Sequence, residues 1–213
     1  MIHPNTEIHL YLIRHGQSLM NLNPDLVGGR SKDTLLSQQG EDQATSLFKH
    51  FRKSGIRFDC VYCSPLDRAK MTANIALGQE IPLIIDDRLM EYSAGEWEGK
   101  DRNEVQTPDI LRQMSEMGID FCPPGGESQR QVIMRVSSWL HEAILDNQEI
   151  IESGKSASIA VFSHGLTIKC LLNYIMNFDD HLIWRIVIDN CSVSLFVFNA
   201  RGWWPKYMNR IPY

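Results

Sequence analysis

The sequence predicts an α/β fold, a three-layer α/β/α arrangement around a mostly parallel sheet, with one antiparallel edge strand and a small insertion. Three observations carry this. Short apolar, β-prone runs alternate with longer stretches of helical periodicity, the pattern of repeated βαβ units. Three of those runs stop abruptly at polar residues, as buried strands do on reaching the mouth of a sheet. One stretch, 99–127, breaks the alternation with Pro108, Pro123, Pro124, Gly118, Gly125 and Gly126.

The first strand falls near 8–14, in Ile8-His9-Leu10-Tyr11-Leu12-Ile13-Arg14. A loop over 21–36 follows, carrying Gly28-Gly29-Arg30 and flanking the sheet mouth. A helix is expected over 38–53, where Gly40 precedes Ala44, Leu47, Phe48 and Phe51 at helical spacing. The second strand lies near 58–63. After it, Ser64 is placed to cap a helix over 65–78 with Pro65 at its first position, which sets Arg68 in the first turn. A third strand near 82–86 leads toward 99–127. Weak helix and loop alternate there, which suits a segment that folds over a site and sets its specificity. A long helix over 128–152 lines up Val132, Val136, Trp139, Leu140, Ala143 and Ile144, with Glu127 at its start, where the helix dipole favours an acid. Then come a strand near 157–163, a helix over 165–177 and a strand near 191–198. This last strand is expected to pair antiparallel with 203–208 across a turn at Arg201-Gly202. No linker divides the chain, so 1–213 reads as a single domain with 99–127 as an insertion or cap within it.

Composition narrows the function. The 213 residues hold 21 Lys and Arg against 26 Asp and Glu, a net charge of −5. That mild acidity argues against nucleic acid or an anionic membrane as partner. A small anionic ligand would need a local basic pocket instead. No apolar run approaches the ~20 residues that span a bilayer. Segment 1–7 has no basic region before an apolar stretch, so it does not read as a secretory signal. Five scattered cysteines read as free thiols of a reducing, cytoplasmic compartment. Cys60 and Cys63 form a CxxC, but no second ligand pair stands at zinc spacing, and the pair ends a strand instead of opening a helix. Oligomeric state has no signature beyond Trp203 or Trp204 as markers of an interface.

The chemistry-bearing residues sit where the strands end. Arg14-His15-Gly16 offers a guanidinium fitted to an anion, an imidazole that is base or nucleophile near neutral pH, and a glycine that lets the backbone turn closely. From this segment alone, a strand end with an incidental surface histidine fits equally. Ser163-His164-Gly165 repeats the pattern after Ser158-Ile159-Ala160-Val161-Phe162. Between them lies Ser64-Pro65-Leu66-Asp67-Arg68-Ala69. A basic residue in the first turn opposes the helix dipole, so Arg68 is better explained by an anion than by stability. Two arginines and two histidines at three strand ends make a phosphate-sized positive pocket.

These residues resemble the histidine phosphatase superfamily, also called the phosphoglycerate mutase-like family. The matching motifs run in the family's order through Leu12-Ile13-Arg14-His15-Gly16-Gln17-Ser18, Gly29-Arg30 and Ser64-Pro65-Leu66-Asp67-Arg68-Ala69. They continue through Glu91, Gly95-Glu96-Trp97-Glu98-Gly99, Pro124-Gly125-Gly126-Glu127-Ser128, Ser163-His164-Gly165 and Asn190-Cys191-Ser192-Val193.

The resemblance implies a phosphohistidine intermediate on His15, with Arg14, Arg68 and His164 holding the phosphoryl oxygens. Like charge from the two arginines would lower the His15 pKa and keep it nucleophilic. It implies Glu91 as general acid and base, by its spacing to Gly95-Glu96-Trp97-Glu98-Gly99, with Glu96 and Glu98 as rivals. Gln17, Asn21, Arg30 and Gly165 are the expected substrate-binding residues. The loop Ser31-Lys32-Asp33-Thr34-Leu35 is slightly longer than the commonest family form. No metal or cofactor is expected, since fixed positive charge already faces the phosphoryl group and no Walker loop or HExxH is present. The expected partner is a small phosphorylated substrate. Glu91-Tyr92-Ser93-Ala94-Gly95 follows the phosphatases, whereas the mutases usually carry Glu-Arg-His-Tyr-Gly. A metal-independent phosphomonoester hydrolase is therefore expected first, phosphoglycerate mutase-type transfer second and a non-catalytic phospholigand-binding protein third. Trp97, Met114, Met117 and Phe121 stand as core residues or as an apolar approach to the site.

Overall fold

A computed structural model describes residues 2–31, 34–79 and 81–212. Lys32 and Asp33, inside the loop noted for its length, lie outside them. One six-stranded sheet runs in the order β3-β2-β4-β1-β5-β6. Its strands are β1 (Glu7–Arg14), β2 (Cys60–Cys63), β3 (Ile84–Ile85), β4 (Ser156–Ser163), β5 (Val193–Asn199) and β6 (Gly202–Arg210). β1 pairs in parallel with β4 up to Arg14 opposite Ser163, and β2 pairs in parallel with β4 up to Cys63 opposite Phe162. Three strand ends therefore emerge side by side, which is what brings the motif residues together. β5 runs antiparallel to β1, and β6 returns along β5 as the edge of the sheet. Antiparallel pairing thus occupies one side of the sheet, in β1 with β5 as well as in the β5–β6 hairpin expected around Arg201-Gly202, so it extends one strand further in than a single edge pairing.

Helices cover both faces. The long ones are α1 (Gln38–Lys53), α2 (Asp67–Leu77), α5 (Gln129–Leu140) and α7 (Gly165–Met176). Strand side chains alternate between faces with period two. Leu10, Leu12, Ile159 and Val161 pack with Val132, Val136, Trp139 and Leu171 of α5 and α7. Tyr11, Ile13, Ala160 and Phe162 pack with Ala44, Leu47, Phe51, Ala69 and Ala73 of α1 and α2. Trp139 is completely buried, and truncating such a residue typically costs ~3–5 kcal/mol.

Four local expectations need correction. Helix α2 begins at Asp67 behind an N-cap at Leu66, and Ser64 does not cap it. The Ser64 hydroxyl lies 2.7 Å from His164 Nε2 and accepts from the Leu66 amide, so it belongs to the strand-end cluster. The expected helix 128–152 is three pieces, α5, a π-helical turn at His141–Leu145, and the short α6 (Gln148–Ile151). Asp146 and Asn147 interrupt it, residues that favour local hydrogen bonds over helix interiors. Glu127 lies before the true N-cap, Ser128, and forms ion pairs instead of opening the helix. β3 shrinks to Ile84 and Ile85 at the sheet edge, because Pro82 lacks an amide to donate.

Segment 99–127 contains α3 (Arg102–Val105), α4 (Pro108–Met117) and a 3-10 turn at Gly118–Asp120. Its Phe121 joins Val27, Ala94 and Trp97 in a small third apolar cluster, apart from the two main ones.

Candidate active site

The segment after β1 is held from several sides. The His15 amide donates to the Ser163 carbonyl at 3.0 Å, and the Asn190 side chain and Cys191 amide donate to the His15 carbonyl. The Gly16 amide donates to Thr72 Oγ1 at 2.9 Å. A Cβ on Gly16 would lie 2.5 Å from the Gly40 carbonyl oxygen, so only glycine lets this turn touch the start of α1. The His15 ring is buried, with Nδ1 2.7 Å from the Gly16 carbonyl oxygen. That carbonyl can only accept, so Nδ1 carries the proton and Nε2 keeps its lone pair. Burial lowers the His15 pKa well below its usual value, and Arg14 and Arg68 lower it further. The two arginines were expected to do this; burial is the larger cause.

His164 is fully buried, and its ring centroid lies 5.1 Å from that of His15. Burial, then Arg68, His15 and Arg14, also hold it well below the usual pKa. Among the described residues its Nδ1 is buried without a partner, as is Nε of Arg14. Unmet buried hydrogen-bonding groups are costly, and in a cleft they mark where a ligand binds. Arg14 is fastened by Nη1 to the Ile188 carbonyl at 2.7 Å. Arg68 donates to the Gly29 and Ser31 carbonyls at 2.8 and 3.0 Å, so it ties the 21–36 loop to the site. Gly165 lies against the Arg14 guanidinium, a Cβ built on it standing 3.4 Å from Arg14 Nε, at ordinary contact distance.

Glu91 reaches the amino end of α7. Its carboxylate accepts from the amides of Leu166 and Thr167 and from the Thr167 hydroxyl, at 3.3, 3.1 and 3.0 Å. The chain around it is clamped. Arg30 Nε donates to the Glu91 carbonyl at 3.0 Å, and Arg30 pairs with Glu127 at 2.8 Å. Arg135 bonds Glu127 at 3.0 Å and donates to the Arg88 carbonyl. Burial works against the Glu127 charge, but Arg135 and Arg30 hold its pKa below the usual value.

A cavity of about 90 Å³ is lined by Arg14, His15, Asn21, Arg68 and Glu91. It is roughly three water volumes at ~30 Å³ each. Asn21 closes one wall, its Oδ1 accepting from Ser18 at 3.0 Å. Gln17 is not in that wall; its side chain accepts from the Ser37 hydroxyl at 2.7 Å and braces the start of α1. Of the rivals, Glu98 accepts from the Arg30 and Ala94 amides, which serves the loop. Sequence reasoning missed Ser64, Thr167 and Asn190 as parts of this cluster. Ser64 and Asn190 each carried a signal, as the first residue of a matching motif, and Thr167 carried none. Among the described residues no three His, Cys, Asp or Glu side chains are grouped to hold a metal ion, and no helix is long and apolar enough to cross a membrane.

Residues 10–211 match the model of the histidine phosphatase superfamily, branch 1, and the chain belongs to that superfamily. It is 28% identical over 197 residues to a broad-specificity phosphatase of Saccharomyces cerevisiae, a match spanning 90% of this chain and 80% of the yeast protein. It is 31% identical over 169 residues to the 2,3-bisphosphoglycerate-dependent phosphoglycerate mutase of Bartonella quintana, spanning 76% and 79% of the two chains. The fold is shared with the alpha-ribazole phosphatase of Shigella flexneri, with a TM-score of 0.81 at 24% identity over 95% and 96% of the chains. It is equally close to a mycobacterial glucosyl-3-phosphoglycerate phosphatase, with a TM-score of 0.81 at 22% identity over 95% and 99%.

Proposed function

We propose that the protein is a metal-independent phosphomonoester hydrolase working through a phosphohistidine on His15. The whole chain acts as one catalytic domain, with 99–127 covering the leaving-group side. The observation that carries this reading is the buried His15 ring, turned by its 2.7 Å contact with the Gly16 carbonyl so that Nε2 is free. Nε2 attacks phosphorus and the bond to the leaving oxygen breaks. Arg14, Arg68 and His164 bind the phosphoryl oxygens, whose charge is what the transition state must have stabilised. Glu91, in its acid form, gives a proton to the departing alkoxide. Water then attacks the phosphohistidine, Glu91 accepts its proton, and phosphate leaves. The arginines supply the fixed positive charge that a metal supplies at other phosphoryl-transfer sites, so turnover should survive a chelator.

The test is hydrolysis of a generic aryl phosphate with chelator present, comparing wild type with His15→Ala. Turnover and a phosphate adduct on the protein, both lost in the variant, are the expected result. Turnover unaffected by His15→Ala would overturn the reading. The Bartonella relative favours a second reading, transfer of the phosphoryl group back to phosphoglycerate. It predicts phosphoglycerate interconversion that outruns phosphate release.

A further inference from the structure

A second cavity of about 230 Å³ adjoins the small one, sharing Gly28, Gly29 and Glu91 in their walls. On the hydrolase reading, this is where the alcohol half of the substrate lies. Its character is apolar. Tyr92, Trp97, Met114 and Phe121 line it, with Trp184 on the same wall. Trp97 and Phe121 pack against each other at 5.7 Å and are themselves buried, so they form a rigid surface. Trp184 is 57% exposed and no other ring stacks on it among the described residues.

The charged groups nearby do not suit a carboxylate. Arg30 is taken up by Glu127 and the Glu91 carbonyl. Arg102, exposed at the cavity wall, gives its Nε and Nη2 to the Pro24 and Leu26 carbonyls. Gln129 also lines the wall. Cavities of about 150 Å³ hold a benzene ring, so this one admits a single substituted ring.

We propose that the substrate is the phosphomonoester of an uncharged alcohol with a single-ring or similarly compact apolar body. The proposal rests on the hydrolase reading for its link to turnover, but not for its binding test. Calorimetry with three phosphonates that cannot be hydrolysed separates the possibilities. Benzylphosphonate should bind at least tenfold tighter than either methylphosphonate or 3-phosphonopropanoate. Trp184→Ala and Met114→Lys, two substitutions outside the main core, should each lower the benzyl-to-methyl affinity ratio at least fivefold. Met114→Lys should also raise affinity for 3-phosphonopropanoate. Equal or tighter binding of the carboxylated ligand by wild type would overturn the proposal, as would a ratio unmoved by both substitutions. If the expected affinities appear but no ester, including benzyl phosphate, is hydrolysed, the cavity assignment stands and the hydrolase reading fails. Benzyl phosphate is the proper ester to compare with 3-phosphoglycerate, because both release an alkoxide and aryl reactivity does not intrude.

Discussion

Glu91 is bound twice to Thr167, its Oε1 accepting from the Thr167 amide at 3.1 Å and from the Thr167 hydroxyl at 3.0 Å. The proposed proton donor therefore also satisfies the open amides of α7, the helix that begins immediately after His164. A carboxylate is favoured at that end by the helix dipole as well. Its position is set by the same helix whose first residue, Gly165, lies against Arg14.

Two substitutions separate the roles of Glu91. Glu91→Gln keeps an acceptor for Thr167 but cannot deliver a proton, so kcat should fall ~10²–10⁴-fold with little loss of stability. Glu91→Ala should lose as much activity and also about 1 kcal/mol of stability, the typical value of a helix N-terminal cap. Steady-state kinetics with denaturant unfolding checks both. Equal stability for the two variants would contradict the capping role.

Inorganic phosphate should stabilise the fold. Nε of Arg14 and Nδ1 of His164, without partners among the described residues, are the groups it would satisfy. Phosphate at 100 times its Kd should add about 2.7 kcal/mol, seen as a rise in Tm. Arg14→Ala should abolish the rise and cut kcat/KM by ~10²–10³.

Acid should destabilise the protein below about pH 6.5. His15 and His164 have folded-state pKa values pushed down, chiefly by burial. Their unfolded forms titrate near ~6.5, so below that pH the unfolded chain binds protons that the folded chain refuses. The stabilising effect of keeping both rings neutral is fully present above that pH. It is lost as pH falls from there toward the folded values, by on the order of 1.4 kcal/mol per pH unit per histidine. His164→Asn should flatten the slope of unfolding free energy against pH between pH 6 and 5. The nucleophile itself stays neutral in this range, so the acid limb of kcat/KM should not show a His15 titration near 6.5.

Gly40→Ala should destabilise although it replaces glycine inside a helix. The helical preference for alanine favours the change by about 1 kcal/mol. Against it, the new Cβ would overlap the backbone carbonyl of Gln17, which the Ser37 amide and hydroxyl already hold. Overpacking of this kind costs ~1–3 kcal/mol. A net loss in Tm, with a fall in activity from displacing the His15 turn, is the expected outcome.

Glu127→Ala should loosen the Glu91 segment without touching the phosphoryl cavity. It removes the acid between Arg30 and Arg135, and the acceptor of the Ser93 amide at 3.1 Å. Bonds to charged groups are worth ~1.5–3 kcal/mol, so unfolding free energy should drop by about that much. The effect on catalysis should appear mainly in kcat, with phosphate affinity preserved.

Much of this arrangement was legible before any coordinates. The strand ends at Arg14, Ser163 and Cys63 follow from apolar runs that stop, and the β5–β6 hairpin follows from the turn at Arg201-Gly202. Both are local patterns. Ser64 was misread for the same reason. Nearby sequence offered it a helix to cap, while its actual partner, His164, lies 100 residues away in the chain. The break in the long helix was also missed, because the apolar spacing through Val132, Val136, Trp139, Leu140, Ala143 and Ile144 continues across the π-helical turn.

The sequence by itself determined the α/β class, the alternation that puts Leu10 and Leu12 on one face and Tyr11 and Ile13 on the other, and the identity of the polar residues at the sheet mouth. Each depends on period or on order along the chain. Tertiary structure alone decided that His15 is buried with Nε2 free, that Glu91 sits on α7, that Arg30 and Arg135 share Glu127, and that an apolar cavity opens beside the phosphoryl site. Those depend on distances between segments far apart in sequence. Burial and partner geometry, and no local pattern, set the charge of a group and the space around it.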